Sequence, residues 1–409
     1  MKHHTYNQNF KFFKEPVEFN KYTNKDLLRY CIGGLLYMPA TQNNILEKIK
    51  NKNIPGMTSM TMCFEDAIPE DKVPEAEENV IAILDELYEC LEDGRLTQND
   101  LPLFFLRVRN PEHFKSFSEK LKPEHTRILT GFIFPKFCTA NGYLYMEQLD
   151  YLNNKLGDII YGMPILESEE VIYKETRLHE LIGIKNLLKP YNKLILNIRV
   201  GAADFSSKFG VRRGVDYTIY DIMTVSDCLK DILNFFNRES EDYVVSAPVW
   251  EYFSNENYNC LATQAPFNIH NFVMRRKHMI NEAIDGLLRE VALDKANGFV
   301  GKTIIHPMHL KYVNAMQAVT KEEYEDALQI LQGTTTGVKK GKGKNGKMNE
   351  MSPHRYWAKT INYKAQAYGV IDDDTTYVKL FLADEKVRDA QEVHDKLLEK
   401  AKEENTDEK

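Results

Sequence analysis

Two acidic residues, Glu167 and Asp204, stand just past short apolar runs, one at the end of PILES (Pro164–Ser168) and one within RVGAADF (Arg199–Phe205). Their separation along the chain joins nothing by itself, and two unrelated acids at strand ends would look the same. Placement gives the pair its interest, because residues past the C-terminal ends of parallel strands converge on one face of a barrel and can share one ion. One or two carboxylates, with waters and a chelating substrate in the remaining positions, suit Mg²⁺, with Mn²⁺ as its substitute. Such an ion polarises a carbonyl, or stabilises the enolate left when a carbon–carbon bond breaks. Asp204 follows Gly201-Ala202-Ala203, read as a turn whose backbone, Ala203 included, approaches a ligand closely.

Arginine and lysine supply the opposite charge. Arg107 lies inside the apolar run FFLRVRN (Phe104–Asn110), where an unpaired guanidinium is costly. It needs an anion, either a fixed carboxylate such as Glu65 or Asp66 or a substrate carboxylate held in bidentate fashion. Arg109 reads as a second clamp or as a solvent-facing side chain. Lys136 in GFIFPKF (Gly131–Phe137) is a further anion-binding candidate, with a structural role as the alternative. His306 in GKTIIHP (Gly301–Pro307) is a possible base, but a histidine set in a proline turn reads first as structural.

The elements that must position these residues follow from the runs themselves. Besides those five, LLYMPA (Leu35–Ala40) and MCFEDA (Met62–Ala67) also end in polar or acidic residues, and YVVSA (Tyr243–Ala247) supplies one more strand. Between them lie helical stretches. Asn79–Leu91 has apolar positions near a 3.6 repeat, and Tyr143–Lys155 and Glu169–Lys185 fill the same role after the next runs. This βαβα order is shared with a doubly wound open sheet, and the count of eight strands favours an α/β TIM barrel of the (β/α)8 type. The expected organisation is an N-terminal extension at 1–30, a barrel at 31–320 and a helical C-terminal extension or lid at 321–409. The last includes helices at Lys321–Leu331, Trp357–Tyr368 and Asp384–Lys402, a strand at Thr375–Leu382, and a mobile lysine- and glycine-rich loop at 333–353.

Composition narrows the function classes. A chain of 409 residues with a formal net charge of -7 has no global basic field, so nucleic acid is not an expected partner. No run approaches the roughly 20 apolar residues of a membrane span, and the first residues lack the apolar stretch of a signal peptide. A cytoplasmic protein is the expectation. The six cysteines are scattered, with no CxxC pair, and read as reduced, mostly buried thiols.

Taken in order, YMPA, FEDA, LRVRN, PKF, ILES, GAADF and GFVGKTIIHP followed by KYVN resemble the citrate lyase β-subunit group of the HpcH/HpaI aldolase superfamily, over about residues 33 to 354. The sequence between the motifs more closely resembles the TIM-barrel C–C bond lyase branch associated with tellurium-resistance and stress gene clusters. The resemblance implies Mg²⁺ ligation by Glu167 and Asp204 and substrate binding by Arg107, with Glu65 and Asp66 orienting Arg107 and waters of the ion. It implies that GKMNEMSP places Glu350 at an acid/base position that reaches into a neighbouring subunit's site, and hence a homo-oligomer, a trimer or hexamer. Two departures stand out: Cys63 replaces the first acid of the usual Asp-Leu-Glu-Asp, and Gly33-Gly34 replaces the usual Arg-Ser. The latter predicts a loss of polar groups near the ligand and bears on whether a CoA thioester is used. The lysines of the loop could grip phosphates in compensation, or simply be solvated.

Three functions are consistent with this pattern. The first is a Mg²⁺-dependent carbon–carbon lyase or aldolase acting through an enolate on a 2-oxo acid or a (hydroxy)acyl thioester, as in citryl- or malyl-CoA cleavage. The second is a thioester hydrolase or malate synthase-like condensing enzyme on the same site. The third is a barrel that binds a metabolite or nucleotide within a stress-response assembly without turnover.

Overall fold

In the computed structural model, which describes residues 1–241, 243–253, 280–333, 337–341, 348–372 and 376–381, the apolar runs form one parallel sheet. Its strands are β1 (Gly34–Pro39), β2 (Ser59–Cys63), β3 (Leu103–Arg107), β4 (Leu129–Phe134), β5 (Tyr161–Leu166), β6 (Arg199–Val200) and β7 (Lys302–Ile304). Strands covered on both faces read as unbroken apolar stretches, and β2 to β5 are buried at every residue. Their order is β6-β5-β4-β3-β2-β1-β7. Tyr243–Ala247 takes the eighth position: Val245 bridges Ile198 and Ala247 bridges Lys302, both in parallel sense, so backbone bonding runs from β6 to β7 and closes the barrel.

Helices cover the outside because their apolar stripes have nowhere else to go. Val73–Glu92 buries Val80, Ile83, Leu84, Leu87 and Cys90. After β3 the chain turns at once: the Asn110 side chain accepts from the His113 N–H and Pro111 occupies the first turn of the helix Pro111–Glu119. That early start leaves Arg107 as the last strand residue, at the barrel mouth. The segment before β1 contains a helix, Lys25–Cys31, and is tied to the far end of the chain by an antiparallel bridge between Lys14 and Val370. The helices Lys321–Gln332 and Arg355–Tyr368 pack around a small core of their own that includes Val319, Ile330, Met351 and Ile361.

Four expectations are corrected. MCFEDA is only half strand: β2 ends at Cys63, and Glu65 and Asp66 lie beyond it. Asp204 lies in the first turn of a short helix, Ala202–Ser207, because the two alanines that suggested a turn also favour helix. Thr376–Phe381 is helical, not extended, since Tyr377, Leu380 and Phe381 make an i, i+3, i+4 stripe that the barrel side buries. The lysine-rich segment is not simply loop: Val338–Lys340 and Met348–Glu350 pair as an antiparallel hairpin. The expected helix Asp384–Lys402, Cys260, and the lysines at 342, 344 and 347 lie outside the described residues. No disulfide occurs among the described cysteines, and all but the half-buried Cys138 are buried thiols. Among the described residues no helix is long and apolar enough to cross a membrane.

Candidate active site

Polar side chains at the ends of β2, β3, β4 and β5 meet in one cluster at the C-terminal mouth of the barrel. Arg107 leaves the end of β3 and is only 8% exposed. Its Nη2 meets Glu65 Oε2 at 2.6 Å and Glu167 Oε1 at 3.1 Å, and Nη1 meets Asp66 Oδ2 at 3.4 Å. Both fixed carboxylates named as its partners, Glu65 and Asp66, are in place, and Glu167 is a third that the sequence did not single out. Burial alone would lower the Arg107 guanidinium, but Glu167, Cys63 and Glu65 hold it well above its ordinary value, so it stays charged.

Glu167 sits one residue beyond β5 and is 4% exposed. Its Oε1 accepts from Arg107 and from the backbone N–H of Lys136 at 2.9 Å. No hydrogen bond among the described residues falls on Oε2. Gly201, between β6 and the Asp204 helix, explains how the carboxylate keeps its place: a Cβ at 201 would collide with Glu167 Oε2. Burial pushes the Glu167 carboxyl up to about 7 against the pull of Arg107, and the charge of Asp204 adds to the push. Glu167 thus lies within the electrostatic reach of Asp204. Burial likewise raises Glu65 against the pull of Arg107. Partial burial acts to raise Asp66 too, but its hydrogen bond with Glu65, together with Arg107 and Lys136, holds it below its ordinary range.

Lys136 has a left-handed backbone, φ 48°, a conformation that costs a non-glycine residue about 1 to 2 kcal/mol. It is what aims the N–H at Glu167. The side chain, half exposed, reaches back to Glu65 Oε1 at 2.8 Å. Arg109 is a brace, its Nη1 donating to the Phe64 and Ile68 carbonyls and so fixing the Glu65-Asp66 segment. Together with Glu65, Asp66, Ile68, Asn110 and Lys136 it lines a cavity of about 220 Å³, room for a small acid. A larger cleft of about 780 Å³ opens beside Met57, Thr58 and Asp100, at the opposite end of the strands; its two carboxylates, Glu18 and Asp100, share it with Lys2, Lys48 and Lys52, and it holds no buried arginine.

Other expected residues fall elsewhere. Ala203 is exposed on the helix that carries Asp204. His306 stacks on Phe253, centroids 4.6 Å apart, and its Nδ1 accepts from Met308 N, a structural role. Glu350 is exposed on the C-terminal hairpin, with no hydrogen bond or ion pair to the mouth cluster among the described residues. Gly33 and Gly34 open β1 at the end of the barrel away from the mouth, where a Cβ on Gly33 would collide with Asn314 Oδ1. Their replacement of Arg-Ser therefore removes nothing from this site. Cys63 does belong to it, with its Sγ 4.0 Å from Arg107 Nη1. Sequence reasoning read Gly201 only as part of a turn, and it missed Arg199, buried at the start of β6. Arg199 was legible by the logic applied to Arg107, a guanidinium within an apolar run.

The residues present fit a divalent ion. Glu65, Asp66 and Glu167 pair with Arg107, and Lys136 reaches Glu65, so the carboxylates outnumber the two cations paired with them, with Asp204 near enough to be felt at Glu167. Among the described residues no group of three or more histidine, cysteine or acidic side chains is arranged to hold a metal; two carboxylates alone suit a cation that keeps most of its waters.

The fold and site define an α/β barrel with an acid-rich C-terminal mouth anchored by one buried arginine. The chain belongs to the family of C–C bond lyases of the TIM-barrel fold, whose model it matches over residues 26–370. No curated protein sequence matches it. Among solved structures it is similar to a citrate lyase from Burkholderia xenovorans LB400, with 15% identity over 86% of this chain and 96% of that one and a TM-score of 0.57. Also similar are CitE from Mycobacterium tuberculosis in complex with magnesium, acetoacetate and coenzyme A (15% identity, 82% and 99% covered, TM-score 0.45) and a malate synthase from Haloferax volcanii in a magnesium and glyoxylate complex (12%, 81% and 88%, 0.49). At these identities the likeness is one of fold.

Proposed function

We propose that the protein is a Mg²⁺-dependent carbon–carbon lyase or aldolase acting on a 2-oxo acid or a (hydroxy)acyl thioester. The observation that supports this reading is Glu167, buried at the barrel mouth within the electrostatic reach of Asp204, with one oxygen that accepts no hydrogen bond among the described residues. Glu167 and Asp204 would hold a Mg²⁺, which would supply Lewis-acid polarisation of a substrate carbonyl. The chain's own residues do the rest. Arg107, fixed by Glu65 and Glu167, keeps positive charge beside the reacting oxygens, and Lys136 presents a cation at the rim where a small acid enters. The test is release of a 2-oxo acid or acetyl product from citryl- and malyl-type thioesters in the presence of Mg²⁺. Glu167→Gln and Asp204→Asn proteins that remain folded should lose about 100-fold or more in turnover; normal turnover by both contradicts the reading.

Glu350 is assigned the role of an acid/base group supplied to a neighbouring copy of the chain. Its exposure on a hairpin, apart from its own chain's carboxylates, supports this. Mixing Glu350→Gln with Glu167→Gln protein should partly restore activity, and no recovery on mixing counts against it.

A further inference from the structure

The larger cleft, of about 780 Å³ at the end of the strands away from the carboxylates, takes no part in the reaction just proposed. Its walls come from three stretches remote from one another in the chain: the N-terminal segment, the connection between β1 and β2, and the turn that leads into β3. Those walls are pinned. His3 Nε2 donates to the Cys31 carbonyl at 2.9 Å, so its Nδ1 accepts from Thr58 Oγ1, at 3.2 Å, and its ring stacks on Tyr368 with centroids 4.5 Å apart. Tyr6 donates from its hydroxyl to the Lys311 carbonyl at 3.2 Å, and its ring lies so close to Gly56 that a Cβ there would meet it at 3.3 Å. Glu18 accepts from Asn99 Nδ2 at 3.1 Å, which ties the N-terminal segment to the turn before β3. Clefts of about 300 to 1,000 Å³ that exist before the ligand arrives are the usual seats of small organic molecules.

Charge decides which molecules suit it. Three lysines, Lys2, Lys48 and Lys52, line the cleft against the two acids Glu18 and Asp100. The acids are already engaged. Besides the bond to Glu18, Asp100 Oδ2 accepts from the Thr97 N–H at 3.0 Å and from its hydroxyl at 2.6 Å, and Oδ1 accepts from Lys52 at 3.1 Å. Lys2 pairs outside the lining, with Glu15 at 2.9 Å. Lys48, half-buried on the helix Ile45–Lys50, makes no side-chain hydrogen bond or ion pair among the described residues. The surplus is therefore one free amine flanked by two others. No arginine in the lining offers a carboxylate its planar fork, whereas lysine serves phosphate as a flexible point charge. The rest of the lining is of another kind: Ile49, Ile54 and Met57 are apolar and, with the Tyr6 ring, suit a flat organic ring. Phosphate and ring in one molecule make a nucleotide.

We propose that this cleft binds a nucleotide, with its phosphates on Lys48, Lys2 and Lys52 and its base against Tyr6, Ile54 and Met57. The site is separate from the carboxylate mouth. Occupancy fastens the N-terminal segment to Thr58 and Asp100, which stand just before β2 and β3.

The experiment is calorimetric titration of the metal-free protein with ATP, GTP and CTP, with their nucleosides, and with tripolyphosphate. At least one nucleotide should bind at one site per chain, about ten-fold or more tightly than its nucleoside or tripolyphosphate, since each fragment lacks one of the two sets of contacts. Lys48→Glu should weaken that nucleotide about ten-fold or more by turning attraction into repulsion. Lys50→Glu, the same change on the same helix at an amine outside the cleft, should leave the affinity nearly unchanged. Lys136→Gly, at the mouth, should bind the nucleotide as the unsubstituted chain does. The absence of binding by all three nucleotides at millimolar concentration overturns the proposal without recourse to any variant. So does tripolyphosphate binding as tightly as the nucleotide, or an equal loss at Lys48 and Lys50. A loss in Lys136→Gly that matches the loss in Lys48→Glu puts the nucleotide at the mouth and overturns it as well. None of these outcomes bears on the lyase reading, which is tested separately at Glu167 and Asp204.

Discussion

The barrel carries two buried ion networks built from the same side-chain types, and they differ in whether they close. On its flank, Lys302 Nζ meets Glu290 Oε1 and Asp294 Oδ2, both at 2.8 Å, Arg213 pairs with Glu290 and, at 2.6 Å, with Glu251, and Tyr220 donates to Asp294 at 2.7 Å. Even the Ile219 N–H points at Glu290, at 2.7 Å. Burial pushes Asp294 up to about 6 against the pull of Lys302, and each of its oxygens has a donor, one from Lys302 and one from Tyr220. The mouth network has no such closure: Arg107 Nε is orphaned, Glu167 Oε2 takes no hydrogen bond among the described residues, and the charge of Asp204 is felt at Glu167. A network that pairs its members internally holds helix Glu282–Asn297 to β7. One that leaves charge uncompensated is waiting for charge from outside. Buried ionic groups therefore need to be read by their unpaired atoms before they are counted as stabilising.

The largest expected effect that would break this comparison is on the flank. Glu290→Ala should cost about 3 to 5 kcal/mol in denaturant unfolding, because it strands Lys302 and Arg213 in the interior; a loss under about 1 kcal/mol would put the two networks on equal terms. At the mouth, Gly201→Ala should destabilise by about 1 to 3 kcal/mol through overpacking against Glu167, and should weaken Mg²⁺ binding by moving that carboxylate. Unchanged Mg²⁺ affinity would mean that Gly201 does not hold it in place.

The pH dependence sharpens the same contrast. The Glu167 carboxyl has a folded value near 7 against an ordinary 4.5, so between those values the native chain binds more protons than the unfolded one. Its contribution to stability is complete below about 4.5 and is lost as pH rises through about 7. The metal-free protein should lose stability across that window, Glu167→Gln should flatten the loss, and chemical unfolding at several pH values reads it; an equal slope in the variant contradicts the assignment. The smallest effect is at Lys136. Lys136→Gly should change stability by less than about 1 kcal/mol, since relief of the left-handed backbone offsets a half-exposed ion pair. It should keep Mg²⁺ binding, because the N–H on Glu167 remains; loss of binding would shift the role to the side chain.

Much of this was legible in the chain. Strands covered on both faces must be apolar, and a barrel's chemistry must sit where those runs end, so Glu167, Asp204, Arg107 and Lys136 could be found as strand-end residues. What the runs do not carry is the local backbone. Gly201-Ala202-Ala203 suits a turn or a first helical turn equally, and nothing in PKF announces a left-handed lysine. Nor does a strand run show which end of it a neighbouring residue occupies in space, and Gly33-Gly34 was placed beside the ligand although it opens β1 at the far end. The flank network was invisible for another reason: Lys302, Glu290 and Arg213 meet through packing of a helix on the barrel, with no motif in common. Tyr377, Leu380 and Phe381 suited either a strand or a helix, and burial against the barrel decided for the helix.

The central claim is that the mouth network is completed by one divalent cation. Calorimetric titration of metal-free protein with Mg²⁺, for the unsubstituted chain and for Glu167→Gln with Asp204→Asn, tests it most directly. One ion per chain should bind to the first and none to the folded double variant. Equal binding by both would contradict it.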